Sequence, residues 1–131
     1  ESIDFNGNTG PFIQYTYARI KSVLRKVEKI SDFRFQVSGF KNIDAKEKAL
    51  IKLLYAYSSR LTEAAANYSP ALVSNYVYEL ATSYNAFYHD INILKEENEN
   101  LRNFRLSLSQ QTADVVRHAM DLLGIDVPER M

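Results

Sequence analysis

Apolar residues recur at every third or fourth position along most of this chain, a period that calls for amphipathic helices rather than strands. Only four Gly and three Pro interrupt 131 residues, so the pattern runs in long stretches between breakers. The expected fold is all-α, a bundle of four to five helices with a long loop after the first. Hydrophobic residues make up 46% and charged residues 24%, enough apolar material for a core and too little charge imbalance for disorder. At this length one domain, 1–131, is expected.

The first helix follows the turn signal Asn8-Thr9-Gly10-Pro11, with Thr9 as a cap and Pro11 suited to the first turn, and is expected to run to about Glu28. Ile13, Tyr17, Ile20, Leu24 and Val27 form its inward stripe, with Phe12 and Val23 at the edge; Tyr15, Arg19, Ser22 and Lys26 face away. Residues 29–43 lose the period and read as a long connecting loop. Asp44 is the expected cap of a second helix through Leu50, Leu54 and Tyr57, with a break near Ser58-Ser59 that leaves one helix or two open. Ser69-Pro70 starts another helix that reaches Tyr88, its stripe being Val73, Tyr76, Leu80, Tyr84 and Phe87. His89 to Lys95 reads as a short loop. Glu96, Glu97 and Glu99 then sit in the first turn of the last helix, where carboxylates suit the positive end of the helix dipole. Leu101, Phe104, Leu108, Thr112, Val115, Ala119, Leu122 and Leu123 carry its inward face, and Gly124 is the expected residue just past its end.

Charge and composition remove several function classes. Sixteen Lys and Arg balance sixteen Asp and Glu, so any attraction to a nucleic acid must be local. There is no Cys, which leaves no disulfide framework and no thiolate metal site, and His89 and His118 cannot form a metal cage alone. No apolar run approaches the roughly 20 residues that span a bilayer, and no basic-then-apolar leader opens the sequence, so a cytoplasmic protein with no membrane partner is expected. Position 1 is Glu and residues 2–5 begin abruptly on an apolar alternation, which reads as a cut end.

No nucleophile elbow, Gly-rich phosphate loop, HExxH pair or EF-hand loop is present, so no catalytic residue and no metal site is assigned. His89 reads as a cation at a helix C-terminus and His118 as a solvated side chain. Nine Tyr and seven Phe are a different matter, because exposed rings can stack on unpaired RNA bases. Tyr17, Tyr76, Tyr84 and Phe87 fall on inward stripes and are expected in the core. Tyr15, Tyr78 and Tyr88 project off those stripes or lie at a helix end and are candidate contact residues. Arg102, Arg105 and Arg117 share the last helix with Glu97, Glu99 and Asp114 and read first as partners in helical ion pairs.

Three blocks in order carry a resemblance. GNTGPFIQYTYARIKSVLRK, from Gly7 to Lys26, resembles the segment by which class I arginyl-tRNA synthetases pass from catalytic core into their helical C-terminal domain. YVYELATSYNAFYHD, from Tyr76 to Asp90, resembles that family's helix before the anticodon loop, and the stretch from Arg105 to Met131 ends in a similar LGIDVPERM. The chain thus resembles the DALR-type anticodon-binding domain of these ligases, while Val27 to Ser69 carries no diagnostic residue. The resemblance implies that residues 1–10 are a remnant of the junction with a catalytic domain of the same polypeptide. It also implies that the parent enzyme charges arginine tRNA with ATP and Mg in that domain. The family's two signature motifs, one rich in His and Gly and one like Lys-Met-Ser-Lys-Ser, are absent here.

What the resemblance implies for this segment is recognition of the anticodon arm. By the block matches, Tyr88 falls where the family sets a ring against an anticodon base and Met131 at a terminal position near the anticodon. Asn85 and the loop from Asp90 to Leu94 follow by adjacency, and Arg105 and Arg130 are candidates for phosphates. Tyr15 and Arg19 are expected at the interface with the catalytic domain, and the chain is expected to be a monomer. Three alternatives stand beside this reading: a stand-alone helical module that binds proteins through Tyr15, Tyr78 and the last helix, a related domain from another synthetase such as that for glycine, and an independent enzyme.

Overall fold

The structure, a computed structural model, describes residues 9–27 and 43–131. Five helices are present among them: α1 (Thr9–Arg25), α2 (Ala45–Tyr55), α3 (Tyr57–Ala66), α4 (Pro70–Asp90) and α5 (Glu99–Leu122), with a 3₁₀ turn at Ile93–Lys95 before the last. No strand occurs among the described residues, and none of these helices is long and apolar enough to cross a membrane. The all-α expectation holds. The proposed junction remnant falls largely, and the connecting loop after α1 almost wholly, outside the described residues.

The boundaries follow local chemistry. Asp44 caps α2 as expected and does so as half of a capping box: its carboxylate accepts from Lys46 N at 2.9 Å, while Glu47 accepts from Asp44 N at 3.1 Å. The break between α2 and α3 comes at Ala56, two residues before the expected Ser58-Ser59, because the chain only tightens there and stays in helical backbone (φ −76°, ψ −9°). A sequence signal for so slight an interruption does not exist. Thr9 is the first helical residue of α1 rather than its cap, and α1 ends at Arg25, short of Glu28. Ser69 precedes α4 with Pro70 at the first helical position, yet its hydroxyl makes no capping bond. His89 and Asp90 still belong to α4. Glu96 and Glu97 precede α5, whose cap is Asn98, accepting from Leu101 N at 3.2 Å.

The helix α5 is the axis of the molecule, packed against α1, α2 and α4. Leu106, Ser107, Leu108 and Ser109 are all buried; at 100° per residue, four in a row occupy most of the helix circumference. A single inward stripe therefore understates its burial: Leu106, Val116 and Met120 are fully buried off the expected line, whereas Leu122, expected inward, is exposed. The polar members of this surrounded helix return their hydroxyls to its own backbone, Ser109 to Arg105 O at 3.0 Å and Thr112 to Leu108 O at 2.7 Å. The stripes expected on α1 and α4 hold, with Ile13, Tyr17, Ile20, Tyr76, Leu80, Tyr84 and Phe87 in one continuous core.

One buried charge ties α2 to α5. Glu47 is wholly buried, and Arg105 grips it from Nε at 3.2 Å and Nη2 at 3.4 Å while Nη1 reaches Glu96 at 3.0 Å. Arg105 is thus committed to two carboxylates. Removing one partner of a buried pair strands the other charge away from water. Arg105→Ala is expected to lower the unfolding free energy by about 3–5 kcal/mol, seen as an earlier midpoint in urea denaturation with an unchanged slope.

Candidate nucleic-acid interface

The end of the chain is what completes the site. Gly124 adopts φ +76°, a left-handed conformation that L side chains resist, and turns the chain off α5 with Ile125 N bonded to Met120 O at 2.9 Å and Gly124 N to Asp121 O at 3.0 Å. The tail then runs along α1. Gln14 donates to Asp126 O at 2.8 Å, Arg25 donates to Glu129 O at 3.1 Å, and the Lys21 ammonium lies 3.7 Å from the Glu129 carboxylate. Ile125 and Val127 pack on the core beneath. These anchors deliver Arg130 and Met131 to the C-terminal half of α1, beside the end of α4.

A cleft of about 590 Å³ opens there, lined by Tyr15, Ala18, Arg19, Ser22, Val23, Arg25, Lys26, Tyr88, Arg130 and Met131. Its described lining holds the cations of Arg19, Arg25, Lys26 and Arg130 and no Asp or Glu side chain, so a chain with no net charge carries a locally positive concavity. A smaller cleft of about 190 Å³ shares Val23, Lys26 and Tyr88 and continues along Ile91, Asn92, Ile93 and Leu94. Tyr88 therefore belongs to both cavities.

The Tyr88 ring is supported from the core. Tyr84 stacks on it with centroids 6.3 Å apart and planes at 29°, and Tyr84 is itself fixed by a 3.0 Å bond between its hydroxyl and Ser109. His89 meets Tyr88 edge-on at 6.2 Å. The guanidinium carbon of Arg19 lies 4.7 Å from the Tyr88 centroid and 4.9 Å from that of Tyr15, close enough for cation–π attraction to both. Arg19 also donates to Asn85 Oδ1 at 2.6 Å and to the Tyr15 hydroxyl at 3.1 Å. Ring, cation and amide thus form one connected group at the cleft wall.

Of the residues singled out from sequence, Tyr88, Arg130 and Met131 come together in the larger cleft, and Met131 is 70% exposed. Asn85 stands behind that wall rather than in it. Loop residues Ile91 to Leu94 line the adjoining cleft, whereas Asp90 pairs with Lys46. Arg105 lies elsewhere, against Glu47 and Glu96. Tyr15 and Arg19 share the larger cleft with Tyr88. Tyr78, ten residues earlier on α4 and so roughly 15 Å along the axis, packs against Phe12 at 5.7 Å and does not line the cleft. His118 receives a neighbour the sequence did not disclose, the Tyr57 hydroxyl, 2.5 Å from Nδ1. Arg25, Ser22 and Lys26 are polar cleft residues given no binding role from sequence. For Ser22 and Lys26 the signal was present, since Tyr15, Arg19, Ser22 and Lys26 share one face of α1, but nothing local says that Tyr88 and the tail border it.

Comparison with known proteins identifies relatives of the whole chain. The family described as DALR anticodon binding domain matches residues 13–131. An arginine–tRNA ligase of Parabacteroides distasonis is 57% identical over 132 aligned positions, covering 100% of this chain and 22% of the relative. That of Flavobacterium psychrophilum is 52% identical, with 100% and 21% covered. The solved structure of Thermus thermophilus arginyl-tRNA synthetase matches at a TM-score of 0.81 and 33% identity, over 98% of this chain and 22% of that one. The chain therefore spans about a fifth of the length of the relatives it matches.

Burial also sets a pH limit on the core. It raises the ionisation of the Tyr76 and Tyr84 hydroxyls far above the ordinary tyrosine value, desolvation of the phenolate being the main cause in each. The unfolded chain ionises these groups near pH 10, so the folded state holds more protons above that pH. Their contribution to stability is complete below it and is lost as pH rises toward the folded-state values. Urea midpoints are expected to fall between pH 9 and pH 11, and Tyr84→Phe to flatten that fall.

Proposed function

The chain belongs to the DALR anticodon-binding domain family, and from that premise we propose that its basic cleft receives the anticodon loop of arginine tRNA. The observation that carries this reading is the convergence of Tyr88, Arg130 and Met131 from distant parts of the sequence onto one cleft lined by cations. Unpaired bases present flat faces to Tyr88 and the guanidinium of Arg19 over its ring, and phosphates to the surrounding cations, a division of labour suited to single-stranded loops. The exposed Met131 side chain offers an adaptable apolar surface to a base edge.

In this proposal Arg19, Arg25, Lys26 and Arg130 supply the charge, and Arg19 and Tyr15 act in the cleft rather than against a catalytic domain. Arg105 has a structural role, being held by Glu47 and Glu96. The longer polypeptide that carries this domain would join arginine to its tRNA at the expense of ATP, with Mg, in a separate catalytic domain. It would work in the cytoplasm, and this domain would act as a monomer without catalytic groups of its own.

Base stacking on an aromatic side chain contributes about 1–3 kcal/mol. Tyr88→Ala is therefore expected to weaken binding of an arginine anticodon stem-loop by roughly 5- to 150-fold, measured by fluorescence anisotropy at fixed salt. Affinity should also fall as salt is raised, since phosphate contacts release counterions. An affinity untouched by Tyr88→Ala would contradict the proposal.

A further inference from the structure

Resting on the anticodon reading, we propose that Asn85 is a positioning residue that, backed by Thr16, holds the Arg19 guanidinium across the Tyr88 ring. The cleft then presents a guanidinium backed by an aromatic ring, in fixed relation, before any RNA arrives. Asn85 itself would touch no nucleotide.

The hydrogen bonds around Asn85 admit one orientation of its amide. A guanidinium only donates, so the atom 2.6 Å from Arg19 Nη1 must be the oxygen. A backbone carbonyl only accepts, so the atom 2.9 Å from Ala81 O must be the nitrogen, which also lies 2.8 Å from Thr16 Oγ1. Thr16 gives its own proton to Phe12 O at 2.9 Å and so accepts from Asn85. The relay runs from a carbonyl of α1 through Thr16 and Asn85 to Arg19, with a second anchor on a carbonyl of α4. Thr16 is fully buried, so the relay is founded in the core.

This arrangement has a consequence for binding. An unrestrained arginine must give up its rotamer freedom when it meets a ligand, whereas one already held by Asn85 and by two tyrosine rings has less to lose. Losing Asn85 should therefore weaken binding only through Arg19.

The test uses the 131-residue chain with Asn85→Ala, Arg19→Ala and the double variant, titrated with the arginine anticodon stem-loop by fluorescence anisotropy. Arginine side-chain NMR on the free protein follows Arg19, and thermal melting reports on the fold. Asn85→Ala is expected to weaken binding about tenfold, the scale of one hydrogen bond to a charged group, and to weaken it no further when Arg19 is already Ala. The Arg19 Nε–H resonance should move toward its unrestrained position in Asn85→Ala. Thr16→Val, which removes only the relay's hydroxyl, should move it the same way, and Thr16→Ser should restore it; these serve where Asn85→Ala fails to fold. Full affinity in Asn85→Ala, losses that multiply independently with Arg19→Ala, or an Arg19 resonance unmoved by Asn85→Ala and by Thr16→Val would each overturn this inference while leaving the anticodon reading intact. A parent chain that binds no stem-loop would overturn that reading, and this inference with it.

Discussion

Burial of α5 on most of its circumference over residues 104–113 is the constraint from which the remaining structure follows. A helix so enclosed needs neighbours on several sides, and α1, α2 and α4 are those neighbours. Its polar residues in the enclosed stretch must satisfy themselves at short range, as Ser109 and Thr112 do on the preceding turn. Ser109 does more, since it also fixes the Tyr84 hydroxyl and through that ring supports Tyr88. The path from core to cleft is therefore three side chains long.

The cleft is made by three distant segments that the α5 packing brings to one end of the bundle. The first is the outward face of α1, the second the last turn of α4, and the third the tail that Gly124 turns back along α1. The α1 segment brings Arg19, Arg25 and Lys26, the tail brings Arg130, and α4 brings the Tyr88 ring. Together they gather cations out of a neutral composition while Glu129, the nearby carboxylate of the tail, turns to Lys21. Outside the cleft lining the buried Glu47 serves two ends at once, closing the capping box of α2 and receiving Arg105 from α5. Arg105 is thereby a tie between helices, and its location away from the cleft has that physical reason.

Much of the fold was legible because helical periodicity is a local signal. The stripes of α1 and α4, the Asp44 cap and the turn at Gly124 all follow from spacing and residue chemistry within a few positions. The extent of α5 burial was not legible, because an enclosed helix with Ser and Thr at buried positions reads as amphipathic with a polar side. At the site, the block resemblance pointed to Tyr88 and Met131, but periodicity could say only that Tyr15 and Arg19 face away from the core. That they face Tyr88 depends on how α1 crosses α4 and on where the tail lies, which no short-range pattern encodes. Asn85 was singled out by adjacency to Tyr88; its bond to Thr16 spans 69 residues and could not be seen in sequence.

The central claim is that the tail, α1 and the end of α4 form one RNA-binding surface. The most direct measurement is an NMR titration of the isotopically labelled chain with an arginine anticodon stem-loop beside a loop with altered anticodon bases. Shifts for the arginine anticodon are expected to concentrate at Arg19, Tyr88, the following residues to Leu94, and Met131, with weaker changes for the altered loop. Shifts confined to other faces, such as the α2–α3 side around Tyr55, or no shift with either loop, would contradict that claim.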